Sequence, residues 1–412
     1  MHCAFDDGAW VRVGTPGWKG RVMELLKDVR VLEVSLFSAD ALGGHLADLG
    51  AEVIKVEPPG GGGFRGAAVS GGELQDSHWN RGKKSVAINL KTPEGQEAFR
   101  RLAATSAVVI DGLRYGTAHR LGFSYDDIVA VNPTVVYCVL NGMGSYGPYT
   151  RLATHGLSFD CFAGLSPPII DADGTPRLSG AATGTTGVLA GPLYAAMGVL
   201  AALHAAGRDG KPQYVEVAQV DAAINWNFQH LTALANGQPS YGEGIRASLR
   251  YQYYRTRDRN YVVFNALEDK FWLRFCESLD RMDLFESGRQ QPGKDLEAEA
   301  RLREELTAIF ESRTRKEWTD FFIETDIAGA PAFLGADLFD DDHAKARRLV
   351  YEQAQPDGTS QRLIGTCIKT KPDERFAPPA APHVGQHTEE LLGALAGYEP
   401  AGLERLRSTG AI

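Results

Sequence analysis

Two stretches hold the side chains most able to do chemistry. The first, THGLSFDCFAGLSPP (Thr154–Pro168), carries His155 and, five residues on, Asp160. Imidazole titrates near neutral pH, so His155 is suited to general acid–base work. A histidine that only orients its loop fits the same residues. The second stretch, WNRGKKSVAINL (Trp79–Leu90), places Asn80, Arg81, Lys83 and Lys84 in a turn that leads into a strand. Clustered guanidinium and ammonium groups suit a polyphosphate ligand, and a solvated basic turn reads the same way. Other carboxylates are weaker candidates. Asp171 and Asp173 stand in an Asp-Ala-Asp-Gly run typical of a turn, and Glu243 stands in a glycine-bearing loop, NGQPSYGEGIR. The five cysteines are scattered with no CxxC pair, which fits reduced thiols better than a disulfide frame or a metal site.

The elements that must position these groups are legible. Val31–Val34 is a short apolar run with β-branched residues, as a buried strand requires. Leu42, Leu46 and Leu49 recur at helical spacing, and Gly50 stands where a helix C-cap wants a left-handed residue. Ala51–Val56 is a second strand, ended by Pro58-Pro59. Parallel strands joined by a crossover helix put ligands at their carboxyl ends, so the loops 37–42 and 57–63 share one rim. Thr92 is predicted to cap a helix opened by Pro93. A strand follows at Ala107–Ile110, a helix at Tyr125–Val131 and a strand at Thr134–Leu140. A long helix, Val188–Ala206, is apolar almost all round and is therefore expected to be buried. A strand at Tyr214–Val217 completes an alternation that implies a doubly wound parallel sheet. A short lead-in helix is expected at Arg21–Lys27. From about residue 247 the character changes to short aromatic strands and amphipathic helices near Phe271–Leu279, Leu296–Ser312 and Arg315–Thr325. The expected division is 1–235, 236–335 as a smaller α+β domain, and 336–412 returning to the first.

Composition narrows the class. The 412 residues are 43% hydrophobic and 23% charged, the balance of an ordinary globular protein. The net charge of −9 argues against a nucleic-acid partner. The chain shows no basic-then-apolar leader and no unbroken run of 18 apolar residues, so the expectation is a cytoplasmic protein with no membrane span.

The segment ADLGAEVIKVEPPGG (Ala47–Gly61) closely resembles a signature of the family III CoA-transferases, the CaiB/BaiF type, which includes formyl-CoA transferase, the carnitine CoA-transferases and α-methylacyl-CoA racemase. The resemblance runs in order from Val31 to a C-terminus, APHVGQHTEELLGALAGYEPAGLERLRSTGAI, that matches the family's closing helix pair. It implies a Rossmann-like α/β large domain built from both chain ends, a smaller domain between, and an interlocked ring-like dimer. It also implies coenzyme A as substrate, with an acyl-CoA and a carboxylic acid as partners and no metal. Residues expected to meet CoA are Ser38 and Ala39 in the first rim loop, Arg65 in the glycine-rich loop, Asn80, Arg81, Lys83, Lys84, and Arg114 after the strand at Ala107–Ile110. In the racemase branch a histidine matching His155 serves as a base. In the transferases an aspartate just before the long helix attacks the acyl-CoA, forming a mixed anhydride and then an aspartyl-CoA thioester.

At that point this sequence departs from the family. LSGAATGTTGVLAG (Leu178–Gly191) contains no Asp or Glu, and the family's aspartate falls within Thr183–Gly187. Ser38-Ala39-Asp40-Ala41 replaces the usual Ala-Gly-Pro, and Gly112 stands where an asparagine is common. Three functions follow as expectations. One is the aspartate-lacking subunit of a two-chain transferase, for which benzylsuccinate CoA-transferase is a precedent, paired with a homologous catalytic chain. Another is a self-sufficient transferase with a displaced carboxylate such as Asp160. The third is a racemase-like enzyme using His155.

Overall fold

The computed structural model describes residues 12–13, 23–63, 71–179, 184–240, 242–290, 292–354, 358–370 and 378–412. Two units divide the chain: Met1–Phe228 with Lys345–Ile412, and Gln229–Ala344.

The larger unit is built on six parallel strands: β1 (Arg30–Ser35), β2 (Glu52–Glu57), β3 (Lys84–Ala87), β4 (Val108–Gly112), β5 (Val136–Asn141) and β6 (Gln213–Ala218), in spatial order β3-β2-β1-β4-β5-β6. This is the doubly wound arrangement expected from the strand–helix alternation, and its direction of winding reverses between β1 and β4. Val31 pairs with both Val53 and Val108, so β1 is flanked on both sides. Its run of buried residues, Val31 to Ser35, reflects that central position.

Helix α1 (Asp40–Asp48) crosses from β1 to β2, α2 (Gly72–Asn80) precedes β3, and α3 (Pro93–Ala103) precedes β4. The hydroxyl of Thr92 caps α3 by accepting from the Gly95 N–H at 3.1 Å, with Pro93 in the first turn. Helix α4 (Gly156–Phe162) and the long α5 (Thr186–Asp209) lie between β5 and β6, followed by α6 (Gln219–Trp226) and α7 (Phe228–Ala235). One face of the sheet is covered by α3 and the C-terminal segment: Phe99, Leu102, Leu391, Leu392 and Leu406 pack on Leu32, Ile54 and Val109. The other face is covered by α1 and α5, with Leu42, Leu46, Ala195 and Val199 on Val31, Val108 and Val136.

Two expectations are corrected. Over residues 23–28 the chain makes a turn, not the lead-in helix, with Lys27 N–H and Val29 N–H donating to Glu24 and Leu26. Helix α5 is buried on one side only: Leu189, Leu193 and Met197 stay exposed. Among the described residues α5 alone is long and apolar enough to cross a membrane by length and composition; its inner face packs on the sheet.

The smaller unit holds an antiparallel sheet of β7 (Tyr251–Arg255), β8 (Tyr261–Asn265) and β9 (Gly329–Ala332). Its core is aromatic, with Phe264, Trp272, Phe275, Phe310 and Trp318 stacked together.

Candidate active site

A doubly wound sheet opens a crevice outside the carboxyl ends of the strands where the winding reverses, here the ends of β1 and β4. The turn Phe37–Ala39, which carries Ser38 and Ala39, connects β1 to α1 at this place. Gly112 ends β4 directly beneath it. A Cβ at Gly112 would lie 2.5 Å from the Ser35 Cβ and 2.8 Å from that of Ala39. The asparagine common in the family therefore does not fit here, and glycine lets the turn close onto the strand.

Buried charges hold that turn from below. Asp40, the first residue of α1, pairs with the Lys55 ammonium and accepts from the Ser35 hydroxyl at 2.5 Å and from Asn80 Nδ2 at 3.2 Å. Lys83 Nζ donates to Glu33 Oε2 at 2.6 Å and to the Asp40 carbonyl at 2.7 Å. Glu33 and Lys55 face each other across β1 and β2. Gly43 makes room for them, since its Cβ would fall 2.5 Å from Glu33 Oε1. Burial pushes the Glu33 carboxyl up and the Lys83 ammonium down, against their mutual attraction. The Lys55 ammonium opposite Asp40 and Glu33 is held above its ordinary range despite that burial.

The basic turn thus has a different place from that expected of it. Asn80, Arg81 and Lys83 are buried. Arg81 donates to Asp48 Oδ2 at 2.6 Å and to the His78 carbonyl. Lys84, half-buried, enters β3 opposite Ile54 and bonds Glu52 at 2.9 Å. All four make contacts within the protein, and Lys84 keeps part of its side chain exposed. Their neighbour His45 is pushed down to about 4 by burial and by the Arg81 and Lys83 charges. Arg65 and the side chain of Glu243 lie outside the described residues.

Arg114 stands differently. After β4 the exposed Arg114, Arg120 and Arg151 surround, with Tyr115, Gly116 and Thr117, a cavity of about 360 Å³ that no carboxylate lines. Arg114 reaches the Arg151 carbonyl, and Arg120 bonds the Thr117 hydroxyl at 3.0 Å. Among the described residues these three guanidinium groups have no acid partner, a charge pattern suited to phosphate groups. Arg120 and Arg151 were missed in the sequence; the usable signal was RYGTAHR, a loop and short helix directly after the strand bordering the reversal.

The second part of the site gathers at the start of α5. Asp160, buried on α4, accepts from the Thr186 N–H at 3.1 Å and the Gly187 N–H at 2.9 Å, one oxygen each. A carboxylate there satisfies two orphan amides and meets the positive end of a 24-residue helix. His155 is the exposed residue at the N-terminus of α4, its N–H donating to the Ser158 hydroxyl at 3.3 Å. Close packing brings α4 to this place: a Cβ on Gly156 would lie 2.1 Å from the Gly184 carbonyl oxygen. Both His155 and Asp160 therefore flank the α5 terminus, without a hydrogen bond between them. Asp171, bonded to Arg177 at 2.7 Å, and Asp173, bonded to the Thr175 N–H at 2.9 Å, shape an exposed hairpin turn.

Comparison with known proteins agrees with this architecture. The sequence profile of CoA-transferase family III matches residues 26–388. The chain is similar to the succinyl-CoA:mesaconate CoA-transferase of Haloarcula marismortui, 29% identical over 394 residues, covering 90% of this chain and 96% of the relative. It is also similar to the human succinyl-CoA:glutarate CoA-transferase, 27% identical over 423 residues, covering 98% and 93%. The crystal structure of Rv3272 from Mycobacterium tuberculosis matches with a TM-score of 0.73 at 28% identity, covering 88% of this chain and 98% of that one. With the fold, the crevice and the profile in agreement over most of its length, the chain belongs to CoA-transferase family III and is an enzyme of the acyl-CoA type.

Proposed function

We propose that this chain is the subunit of a succinyl-CoA-dependent CoA-transferase that binds CoA but has no nucleophilic aspartate of its own, and that a homologous chain supplies it. The observation that carries this reading is the start of α5. From Leu178 to Arg208 the chain has no Asp or Glu, and Asp160, the carboxylate seen at this terminus among the described residues, has each oxygen accepting from a backbone amide. Transfer of this kind needs a carboxylate free to attack the thioester carbonyl, expel CoA thiolate and form an anhydride. One amide bond to each oxygen holds this buried carboxylate in place as a cap on the helix start. The arginine cavity supports retained CoA binding. The named substrates of the relatives, mesaconate and glutarate, are dicarboxylic acids, which supports succinyl-CoA as donor and a dicarboxylic acceptor such as benzylsuccinate.

A second reading has one observation in its favour: Asp160 is a carboxylate at the α5 terminus, so a self-sufficient enzyme would use it as a displaced nucleophile. Asp160→Asn separates the two. Asparagine keeps one acceptor for the helix amides but forms no anhydride. Under the subunit reading the variant, assembled with its homologous chain, keeps turnover within a few-fold of wild type. Loss of turnover by a thousand-fold or more would establish Asp160 as the nucleophile and overturn the subunit reading. A racemase-like use of His155 would show as solvent-deuterium exchange at the acyl α-carbon without any acceptor acid, lost in His155→Ala.

A further inference from the structure

Between the crevice turn and the start of α5 lies a largely buried side chain, Gln219, whose amide N–H groups no protein group engages among the described residues. Gln219 opens α6 and is only 5% exposed. Its Oε1 accepts from the Ser38 hydroxyl at 3.2 Å, which assigns the oxygen end of the amide to the crevice turn. The Nε2 end, with two N–H groups, meets no acceptor among the described residues. A strip of two glycines four residues apart on α5 brings the helix close. A Cβ on Gly187 would lie 3.0 Å from the Gln219 carbonyl oxygen, and one on Gly191 would lie 2.9 Å from its Cγ. Residues four apart share a helix face, so both glycines are bare on the side that receives Gln219. The Nε2 donors of this otherwise buried side chain are thus left for an acceptor that a ligand brings.

We propose that Gln219 contacts substrate directly, its Nε2 donating to the carbonyl oxygen of a CoA thioester whose CoA portion lies in the crevice beside Ser38. The inference rests on the CoA-binding reading above. A ligand with its CoA under the Ser38 turn and its acyl group at the α5 terminus passes its carbonyl by this amide, because Gln219 touches both elements. Ser38 then acts as a positioning residue: by engaging Oε1 it leaves the donor end for the ligand. Free CoA has no such carbonyl and gains nothing from the amide.

The test compares two ligands on the purified chain by calorimetric titration: CoA itself, and carba-dethia succinyl-CoA, whose methylene in place of sulfur keeps the carbonyl but resists hydrolysis. Gln219→Met keeps the length of the side chain and removes its donors. The expected result is a loss of about 5- to 10-fold in affinity for the analogue, with CoA affinity held within twofold. Ser38→Ala, which releases Oε1 and lets the amide turn, is expected to weaken the analogue more than it weakens CoA, and it keeps the test open if Gln219→Met does not fold. Equal losses for both ligands, or no loss for either, would overturn the assignment while leaving CoA binding in place. A wild-type chain that binds neither ligand would overturn the CoA-binding reading itself.

Discussion

Lys83 and Arg120 carry the same charge and have opposite roles. Lys83 is enclosed with Glu33, whereas Arg120 lies exposed on the cavity rim. Removing one partner of a buried ion pair strands the other, so Lys83→Met is expected to lower unfolding free energy by about 3–5 kcal/mol, read as a reduced urea midpoint. Arg120→Ala is expected to leave the midpoint unchanged and to weaken CoA about tenfold at low salt, less at high salt. The sequence made the basic turn look like the ligand surface because charge type is visible and register is not. The contrary signal was also present: Glu33 and Lys55 sit in the middle of apolar strands, where a charge has to be paired. Pairing across β1 and β2 joins them, and Asp40 with Lys83 completes the set.

At the scale of single elements, β4 carries a pH dependence. Burial pushes the Asp111 carboxyl up from 3.8 to about 7, against the pull of the Leu113 N–H at 3.1 Å and the Tyr137 hydroxyl at 3.5 Å. The folded chain then holds a proton that the unfolded chain releases near pH 4. This contribution is most favourable below that pH and is lost as pH rises toward 7. Asp111→Asn is uncharged throughout, so its stability relative to wild type is expected to improve by about 2–3 kcal/mol between pH 5 and pH 8. Equal differences at both pH values would show that the carboxyl titrates normally. Elements themselves were well anticipated where a local device defines them: the Thr92 cap and Pro93 opened α3 as expected. The hold of Asp160 on α5 was not legible, because a cap contributed from 26 residues away leaves no local pattern.

For the whole molecule, the apolar surface left open is informative. Leu189, Leu193, Met197 and Leu200 are exposed along α5, and α7 buries none of its residues. Under the proposed pairing of two chains, such surface is where the second chain is expected to lie. A helix apolar all round told the sequence reader that α5 would be covered, but not whether this chain or a second one covers it. Met197→Asp is expected to abolish association with the homologous chain in sedimentation velocity while leaving the thermal midpoint of the isolated chain within a few degrees. Unchanged association would place the contact elsewhere.

In the proposed function a CoA-binding chain relies on a partner for its nucleophile. Transfer of CoA from succinyl-CoA to benzylsuccinate and to glutarate, by this chain alone and after co-expression with a homologous family III chain from the same genome, tests it most directly. Turnover is expected only from the pair, with a hydroxylamine-sensitive acyl adduct mapped to an aspartate of the partner. Turnover by this chain alone, with the adduct on one of its own carboxylates, would contradict it.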